Sequence, residues 1–548
     1  MKKQNNFFIY GITLVATLGG LLFGYDTAVV SGTTAALDNY FIKPLFENPA
    51  AAVSVVFQYK VIVSLCLAII GALTANFLIR LFGSRKGSIY SILLLIAGVA
   101  LWFLQFWNQP TELTDTMASS IKGFVISSAL VGCIIGGAWG GEISSGIGRK
   151  NGLIVAAILF TISAVGSALP DTLNFLHVEM VSSLIFYRII GGIGVGIASM
   201  LSPVYIAEVA PARMRGKLVS FNQFAIIFGM LVVYFVNYFI ARGGSAEWIN
   251  TIGWRWMFAS EAIPCVLFLG LLFFVPKTPR YLLLKGEDEK ARNVLDHLYG
   301  KEEMETEYKS IKSSLIEKNA PWLSFGAGVI VIGILLSFFQ QAVGINVVLY
   351  YAPEIFRTMG AGNDAALLQT IIVGAINLSF TVVAILTVDR FGRKPLMIIG
   401  AAGMAISMFL LGFTFYMGAV GIFTLICMLL YTASFAMSWG PVCWVLLAEI
   451  FPNSIRGALS IAVAAQWLSN LIVSWTFPMM NENAALSATF NHGFAYWIYG
   501  VMGIFAALFV WKRVPETKGR TLEEIEKIWE KNPAAQEKVA SVAEAEAE

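Results

Sequence analysis

The sequence predicts an all-α polytopic membrane protein, and three observations support that prediction. Charged residues make up 13% of the 548 residues, whereas soluble domains contain about 25%. Apolar residues reach 57% before the 50 glycines are counted, and the mean hydropathy is +0.73. Stretches without Asp, Glu, Lys or Arg recur along the chain, the longest at 395–448. Because a bilayer core about 30 Å thick takes about 20 helical residues, these stretches can cross it.

Charge-poor stretches bounded by basic loops predict about fourteen spans. They lie near 8–30, 53–79, 88–107, 121–143, 151–169, 182–207, 217–241, 254–275, 322–349, 366–388, 395–414, 420–447, 458–479 and 494–512. The first apolar run has no small-residue cleavage site, so we expect it to be retained as a span. With both termini in the cytoplasm, 30 of the 37 basic residues fall on the cytoplasmic side. The positive-inside rule therefore predicts cytoplasmic termini.

The composition argues against several functional classes. A net charge of +3 over the whole chain offers no basic stripe, so nucleic acid is not an expected partner. The five cysteines lie in apolar runs without paired spacing, which predicts buried thiols. The three histidines have neither a His-x-x-Glu-His pattern nor paired spacing. We expect no metal, no cofactor and no enzymatic chemistry.

A charge-rich segment at 276–320 interrupts the apolar pattern, and its short periodic pieces predict amphipathic helices on the inner surface. It divides the chain into an N-terminal bundle at 1–275 and a C-terminal bundle at 321–513. The first bundle is expected to include an extra two-helix hairpin at about 53–107. The remaining residues, 514–548, are expected to be a cytoplasmic tail whose Ala/Glu-rich end is disordered.

Internal repeats relate the two bundles. The pattern Ala-Glu-x-x-Pro-x-x-x-Arg-Gly occurs at 207–216 and again at 448–457, and Gly-Arg-Lys occurs at 148–150 and again at 392–394. The offsets, 241 and 244 residues, are nearly equal, which indicates a duplicated bundle. Parallel repeats related by an axis along the membrane normal are the plan of the major facilitator fold. We therefore predict two six-helix bundles plus the extra two-helix hairpin, with a substrate site between the halves.

Six motifs together resemble the sugar porter family of the major facilitator superfamily. They are Arg188-Ile-Ile-Gly191-Gly192-Ile-Gly194, Pro276-x-x-Pro279-Arg280, Gln340-Gln341-x-x-Gly344-Ile345-Asn346, Asp389-Arg390-x-Gly392-Arg393-Lys394, Gly440-Pro441-Val442-Cys443-Trp444 and Pro515-Glu516-Thr517-Lys518-Gly519. The resemblance covers nearly all of the chain except about 45–120 and the last fifteen residues. Within the family, the chain most resembles the bacterial D-xylose:proton symporters.

The resemblance implies a symporter that imports D-xylose, or a closely related pentose or hexose, together with a proton by alternating access. Such a protein lies in the lipid bilayer of the bacterial cytoplasmic (inner) membrane, and we expect it to function as a monomer. Two alternatives remain open. The chain could be a passive sugar uniporter, or a transporter-like sugar sensor that binds without net flux.

Three features depart from the family pattern. The extra pair of spans at 53–107 has no counterpart in a twelve-helix carrier, and its loop is predicted at Gly83-Ser84-Arg85-Lys86-Gly87. At the first Asp-Arg-x-Gly-Arg position the chain has Ser145-Gly-Ile-Gly-Arg149, which removes one acid and one base. Lys277 replaces the acid of a Pro-Glu-Ser-Pro-Arg pattern. We therefore expect an inner gate that is weaker or differently paired.

The residues that suit a sugar site occur where the spans are broken. A sugar presents hydroxyl groups and an apolar face, so its site needs side-chain amides and aromatic planes. Amides flank Gly344, and we expect Pro353 to end the helix that follows it. The pair Gly440-Pro441 is expected to break another helix where backbone lines a cavity. The alternative is that these amides only join packed membrane helices.

The resemblance assigns nine residues to the sugar site. The hydrogen-bonding residues are Gln223, Gln340, Gln341, Asn346, Trp444 and Gln466, and the walls are Phe23, Tyr350 and Trp467. Met230 would face the same way as Gln223 without a hydrogen-bonding group, which weakens the preference for xylose.

Asp26 and Arg188 lie deep inside predicted spans, where an isolated charge costs at least about 2.5 kcal/mol. We therefore expect each to pair with the other. Protonation of the acid would free the arginine, which makes the pair a candidate for proton coupling. By resemblance, proton-coupled members carry an acid at this position. The alternatives are a static ion pair, or coupling through another acid such as Glu208 or Glu142.

A third group of charges falls at predicted cytoplasmic helix ends. By resemblance, salt bridges among these residues close an inner gate in the outward-open state. The residues are Arg149, Glu208, Arg215, Arg393, Glu449 and Arg456. The alternative is that they are solvated loop charges that follow the positive-inside rule.

Overall fold

A computed structural model describes residues 6–108, 112–315 and 321–520, together with 524, 525 and 529. Within these residues the protein consists of helices and connecting segments, without a β-strand. Thirteen helical stretches of the described residues, several of them made of consecutive helices, are long and apolar enough to cross a membrane. The predicted all-α polytopic membrane fold is therefore confirmed.

The described residues of the first half of the chain form thirteen α-helices. They are α1 Asn6–Leu37, α2 Lys43–Glu47, α3 Pro49–Trp102, α4 Asp115–Gly146, α5 Arg149–Ala168, α6 Met180–Val209, α7 Ala212–Ala241, α8 Ala246–Trp248, α9 Trp254–Ala259, α10 Ala262–Leu272, α11 Pro279–Leu284, α12 Asp288–Tyr299 and α13 Lys301–Ser314. Short π-helical segments occupy Asp38–Ile42, Phe103–Trp107 and Ile249–Gly253, and a 3₁₀ helix occupies Pro170–Leu176.

Residues 321–513, all within the described part of the chain, form nine α-helices. They are α14 Ala327–Ala342, α15 Ile345–Thr358, α16 Asn363–Phe391, α17 Arg393–Tyr416, α18 Ile422–Met437, α19 Trp439–Ile450, α20 Leu459–Asn481, α21 Ala484–Phe490 and α22 Phe494–Arg513. A 3₁₀ helix at Asn453–Ala458 precedes α20.

Helix α3 is a folded hairpin rather than a single rod. Its backbone leaves the helical region at Gly83, where φ is +78°, a value that glycine adopts at little cost. Beyond that point the chain reverses direction, and the two arms contact each other. Ser91 Oγ donates to Ala75 O at 3.3 Å, and Trp102 Nε1 donates to Ser64 Oγ at 2.7 Å. The two arms account for the predicted extra pair of spans, and the predicted five-residue loop is reduced to a break at one glycine.

Two helices are interrupted near the amides singled out by the sequence. Gly344, with φ +91°, separates α14 from α15, and Ser438, at φ −133° and ψ −90°, separates α18 from α19. The second break lies just before Gly440-Pro441. These two residues lie in the first turn of α19, where a proline is tolerated.

The expectation that Pro353 ends its helix is wrong, because α15 continues to Thr358. A proline inside a helix leaves the carbonyl group four residues earlier without its usual donor. That carbonyl belongs to Leu349, and the Tyr234 hydroxyl donates to it at 3.0 Å. The tyrosine therefore replaces the lost backbone hydrogen bond, as neighbouring helices commonly do in membrane proteins.

The chain forms two compact units that interleave along the sequence. The first comprises Met1–Pro44, Phe124–Glu317 and Leu349–Leu378, and the second comprises Leu45–Gly123, Lys318–Val348 and Ser379–Glu548. In the first unit, α1 packs along α7 and α6, and α5 packs along α6. In the second unit, α17 packs against α18 and α22, and α14 packs against α20. The predicted division at 275 and 321 remains a prediction.

The charge-rich segment after α10 contains the short helices α11, α12 and α13, and polar contacts join the last two. Arg292 pairs with Glu305 at 2.6 Å, and Lys312 pairs with Asp288 at 3.0 Å. Hydrogen bonds from the Tyr308 hydroxyl and the Lys312 ammonium hold the pKa of Asp288 below its usual value. The disordered end predicted for the tail lies outside the described residues.

Candidate functional site

A buried ion pair joins α1 to α6 within the first unit. Arg188 Nη1 donates to Asp26 Oδ1 at 2.7 Å, and Arg188 Nη2 donates to the Asp26 carbonyl oxygen at 3.1 Å. The two side chains are 2% and 0% exposed. The guanidinium also lies over the Phe258 ring, 5.6 Å from its centroid. The structure thus brings the two predicted residues together away from solvent, where only mutual compensation makes their charges tolerable.

A second acid belongs to this cluster. Glu261, between α9 and α10, is 1% exposed, and its carboxyl group lies close enough to Asp26 and Arg188 to interact electrostatically with both. No N–H or O–H donor in the described chain satisfies either Glu261 oxygen. One guanidinium compensates only one negative charge, and a second buried carboxylate without a partner is costly. A proton on one of the two carboxyl groups removes that cost, so the cluster can hold a transferable proton.

Sequence reasoning missed Glu261 and named Glu208 and Glu142 as the alternative acids. The available signal was its position inside the predicted span 254–275, since an ionisable residue within a membrane span is a functional candidate by default. In the structure Glu208 pairs with Arg149, and Glu142 is exposed.

Four side-chain amides form a connected network in the second unit. Gln341 Nε2 donates to Gln340 Oε1 at 3.3 Å, and Asn346 Nδ2 donates to Gln341 Oε1 at 2.5 Å. Gln466 Nε2 from α20 also donates to Gln340 Oε1. Gln340 Nε2 in turn donates to the carbonyl oxygens of Trp439 (3.0 Å) and Gly440, at the start of α19. Gln340, near the end of α14, thus forms hydrogen bonds to the start of α19 and to Gln466 on α20.

One acceptor in this network is unused by the described protein atoms. Gln466 Oε1 is buried without a hydrogen-bond partner in the described part of the chain. Buried polar atoms are nearly always paired, so an unpaired amide oxygen is a suitable acceptor for a ligand hydroxyl group. Asn346 is partly exposed and has the same chemistry available.

The aromatic residues predicted for the second unit occupy the helices next to this network. Trp444 is half-buried on α19, the helix whose first residues bind Gln340. Trp467 is buried and follows Gln466 directly on α20. Their indole rings provide the flat apolar surfaces that the C–H face of a sugar requires.

The remaining three predicted residues belong to the first unit. Phe23 lies on α1 three residues before Asp26, and Gln223 lies on α7, the helix that packs along α1. Both are half-buried. Tyr350 is buried on α15, next to the Leu349 carbonyl that Tyr234 binds. Close packing of α1 on α7 requires Gly24, since a Cβ there would collide with the Ile226 carbonyl oxygen.

The charges predicted for the inner gate form one ion pair in each unit. In the first unit, Arg149 Nη2 lies 2.6 Å from Glu208 Oε1, and Arg149 Nη1 donates to the Ser144 carbonyl oxygen at 3.1 Å. In the second unit, Arg393 Nη2 lies 2.8 Å from Glu449 Oε1. Each arginine begins a helix, and each glutamate lies near the end of another helix in the same unit.

The pairing differs from the one in the repeated sequence motif. Glu208 and Arg215 share that motif, but the ion pair described for Glu208 is with Arg149, and Arg215 is exposed. Arg215 lies on α7, beyond the end of the α6 helix that carries Glu208. The side chain of Arg456, the equivalent residue of the second repeat, lies outside the described part of the structure.

Comparison with known proteins finds that the chain is similar to sugar transporters over nearly its whole length. The sequence model of a family described as "Sugar (and other) transporter" matches residues 12–111 and 102–529. The D-xylose-proton symporter of Escherichia coli (strain K12) is 54% identical over 543 residues, which cover 96% of this chain and 97% of that protein. The glucose facilitated diffusion protein of Zymomonas mobilis is 38% identical over 523 residues, 94% of this chain and 97% of that protein.

A solved structure is similar over the same length. It is the proton:xylose symporter XylE of the major facilitator superfamily, bound to 6-bromo-6-deoxy-D-glucose. It superimposes with a TM-score of 0.72 at 55% sequence identity, and the match covers 96% of this chain and all of that chain.

Proposed function

Because this chain belongs to the sugar transporter family, we propose that it is a proton-coupled symporter that imports D-xylose or a closely related monosaccharide by alternating access. It is a multi-pass membrane transporter and not an enzyme. We place it in the bacterial inner membrane, surrounded by lipid, as a functional monomer with both termini in the cytoplasm.

The observation that carries this proposal is the 54% identity to a D-xylose-proton symporter over nearly the whole of both chains. The second candidate is a passive uniporter, which the 38% identical facilitated diffusion protein favours. The buried Asp26–Arg188–Glu261 cluster supports the symporter, because a carrier without proton coupling has no need of two acids beside one buried base.

Each part of the site has a defined role in this proposal. The amides of Gln340, Gln341, Asn346 and Gln466 bind sugar hydroxyl groups, since each offers both a donor and an acceptor. The proton resides on the cluster around Arg188. When the cluster gains a proton, the guanidinium is less firmly held, and the equilibrium between outward-facing and inward-facing states changes. Sugar and proton then move together because both affect the same equilibrium.

Transport in proteoliposomes tests the proposal. Purified protein is reconstituted, an inside-alkaline pH difference is imposed, and uptake of labelled xylose, glucose, galactose and arabinose is compared with binding of the same sugars. The symporter accumulates at least one sugar above its external concentration, and a protonophore abolishes that accumulation. Equilibration without accumulation would establish the uniporter, and binding without counterflow would establish a sugar sensor.

A further inference from the structure

A second cluster of polar contacts joins the beginning of α4 to the end of α20. Lys122 Nζ lies 2.5 Å from Glu482 Oε1, and Ser119 Oγ donates to Glu482 Oε2 at 2.7 Å. Both carboxylate oxygens of Glu482 are thus bound by side chains one turn apart on α4. The Lys122 side chain is 6% exposed and that of Glu482 is 32% exposed. Because the Lys122 side chain is shielded, water screens this pair less than it screens a pair in which both side chains are exposed.

Two further contacts join the same turn of α4 to Trp475, which lies on α20 two turns before Glu482. Trp475 Nε1 donates to the carbonyl oxygen of Ser120 at 3.0 Å and to its hydroxyl oxygen at 3.3 Å. A Cβ at Gly123 would collide with the Trp475 carbonyl oxygen, so the glycine permits the helices to touch. Trp475 and Glu482 are seven residues apart, which places them on one face of α20 and its continuation.

The inserted hairpin α3 takes part in this cluster. The Tyr59 hydroxyl and Ser120 Oγ are 2.9 Å apart, and the Tyr59 side chain is fully buried. Ser120 therefore contacts the hairpin and α20 at once. The hairpin itself is closed by the Trp102–Ser64 hydrogen bond and by Lys60 Nζ, which donates to the Trp107 carbonyl oxygen at 3.5 Å. All of these residues belong to the second compact unit.

The location of the cluster gives it a function in transport. The distribution of basic residues assigns the start of α4 and the end of α20 to the outer face. The sequence repeats assign α4 to the first half of the carrier and α20 to the second half. In alternating access the halves separate on the outer face whenever the site opens outward, so contacts between them there must break.

We propose that the Lys122–Glu482 ion pair, supported through Ser120 by Tyr59 of the inserted hairpin, is an outer latch that stabilises the outward-closed states of this carrier. The latch consists of Tyr59, Ser119, Ser120, Lys122, Trp475 and Glu482. This inference rests on the proposed transport function. It also gives the inserted hairpin a role, because the hairpin contacts the α4 end of the latch through Tyr59.

A contact shifts a conformational equilibrium only if it exists in one state and not in the other. Removal of the latch therefore favours outward-open states and leaves the sugar-binding amides unchanged. Restoring the ion pair with reversed charges restores the equilibrium, which a purely structural role for either side chain would not do.

Pulsed electron paramagnetic resonance measures that equilibrium. Spin labels are attached to Asp115→Cys and Ala485→Cys, two exposed positions beside the latch, while the five native cysteines are buried. Lys122→Gln and Glu482→Gln should each raise the ratio of long (outward-open) to short (outward-closed) distances between the two spin labels on the order of tenfold. The double variant Lys122→Glu with Glu482→Lys should return the ratio close to that of the parent.

A second comparison tests the role of the hairpin. Tyr59→Phe removes the hydroxyl that contacts Ser120 and should raise the same ratio about threefold, as expected for one neutral hydrogen bond. Trp102→Phe is the matched control, because it removes a hydrogen bond inside the hairpin without touching α4, and it should leave the ratio unchanged.

The distances are recorded without sugar or a pH difference, so they report on the latch independently of the transport assay. Unchanged distances in both single variants, or a charge-reversed pair no better than the singles, would overturn the latch. Equal effects of Tyr59→Phe and Trp102→Phe would overturn the role of the hairpin. Altered distances in a protein that fails to transport would count against the proposed function and leave the latch standing.

Discussion

Replacement of Asp26 by Asn tests the mechanism of proton coupling. The amide oxygen of asparagine can still accept the Arg188 Nη1 hydrogen bond that spans 2.7 Å, and the second bond goes to a backbone carbonyl that the change leaves in place. What the variant lacks is an ionisable group at the acceptor. Asp26→Asn therefore imitates the protonated acid in every state of the carrier.

The structure sets the size of the expected effects. Removal of one partner of a buried ion pair commonly costs about 3–5 kcal/mol, because the other charge is left uncompensated. Here the Glu261 carboxyl group lies in the same buried cluster, so it can ionise and compensate the Arg188 charge once Asp26 is replaced. We therefore expect a loss of stability of only about 1 kcal/mol, the worth of one weakened hydrogen bond. Sugar affinity should stay within about tenfold of the parent, or 1.4 kcal/mol.

The assay compares accumulation with exchange in proteoliposomes. Asp26→Asn should abolish sugar accumulation driven by an imposed pH difference, whereas counterflow needs no net proton movement and should persist. The matched control is Asp171→Asn, the same chemical change at an ion pair with Arg255 in which the acid is 52% exposed. That variant should accumulate sugar like the parent. Undiminished accumulation by Asp26→Asn would show that Asp26 is only a structural partner of Arg188, and Glu261→Gln would then be the next variant to test.

Three further predictions concern the sugar site, the hairpin and the inner ion pairs. Gln341→Ala and Trp444→Ala should each weaken sugar binding by tenfold or more in calorimetry, since buried groups that pair hydroxyls are left unmatched; unchanged affinity in both would place the site elsewhere. Deletion of about residues 50–112 with a short linker should preserve the orientation of the other spans, so a cysteine at exposed Ala365 should react with impermeant reagents from outside; labelling from the cytoplasm would refute the topology. Glu449→Gln should slow net transport several-fold with little effect on sugar affinity, as expected if its ion pair acts on the conformational equilibrium, and a selective loss of affinity would contradict that role.

The membrane fold can be predicted from sequence because it depends on the average hydropathy and charge of long stretches of residues. Runs such as 395–448 exclude charge over lengths that only membrane spans require, and no tertiary detail alters that conclusion. Single residues are less predictable. Pro353 was predicted to end its helix, but the Tyr234 hydroxyl from another helix donates to the carbonyl oxygen that the proline leaves without a partner. The tyrosine lies 115 residues from that carbonyl group, so the sequence around Pro353 does not indicate the contact.

Some residues of the candidate site were likewise predictable from sequence, and others were not. Asp26 and Arg188 could be paired from sequence because each is costly alone in a membrane and needs an opposite charge. Glu261 was missed because Asp26 and Arg188 already compensate each other, so a second acid beside them has no opposite charge in the sequence to identify it. The amides were recognised by type, but the position of Gln340 at the centre of their network follows from the helix breaks and was not predictable from spacing.

The inner ion pairs show how duplication and divergence act on one contact. Arg149 and Glu208 repeat as Arg393 and Glu449, and the closest N–O distances, 2.6 and 2.8 Å, are nearly equal. The surroundings are not equal.

In the second unit Arg393 also binds Asp389, and Glu449 also accepts from the Thr517 hydroxyl at 2.6 Å. The neighbouring Glu516 carboxylate accepts from four backbone N–H groups, those of Arg393, Lys394, Thr517 and Lys518. In the first unit Ser145 stands where the family pattern has the acid equivalent to Asp389, and Lys277 stands where the acid equivalent to Glu516 would be. The first-unit pair therefore has neither acid beside it, although it is the more shielded of the two, with side chains 10% and 11% exposed against 12% and 23% in the second unit.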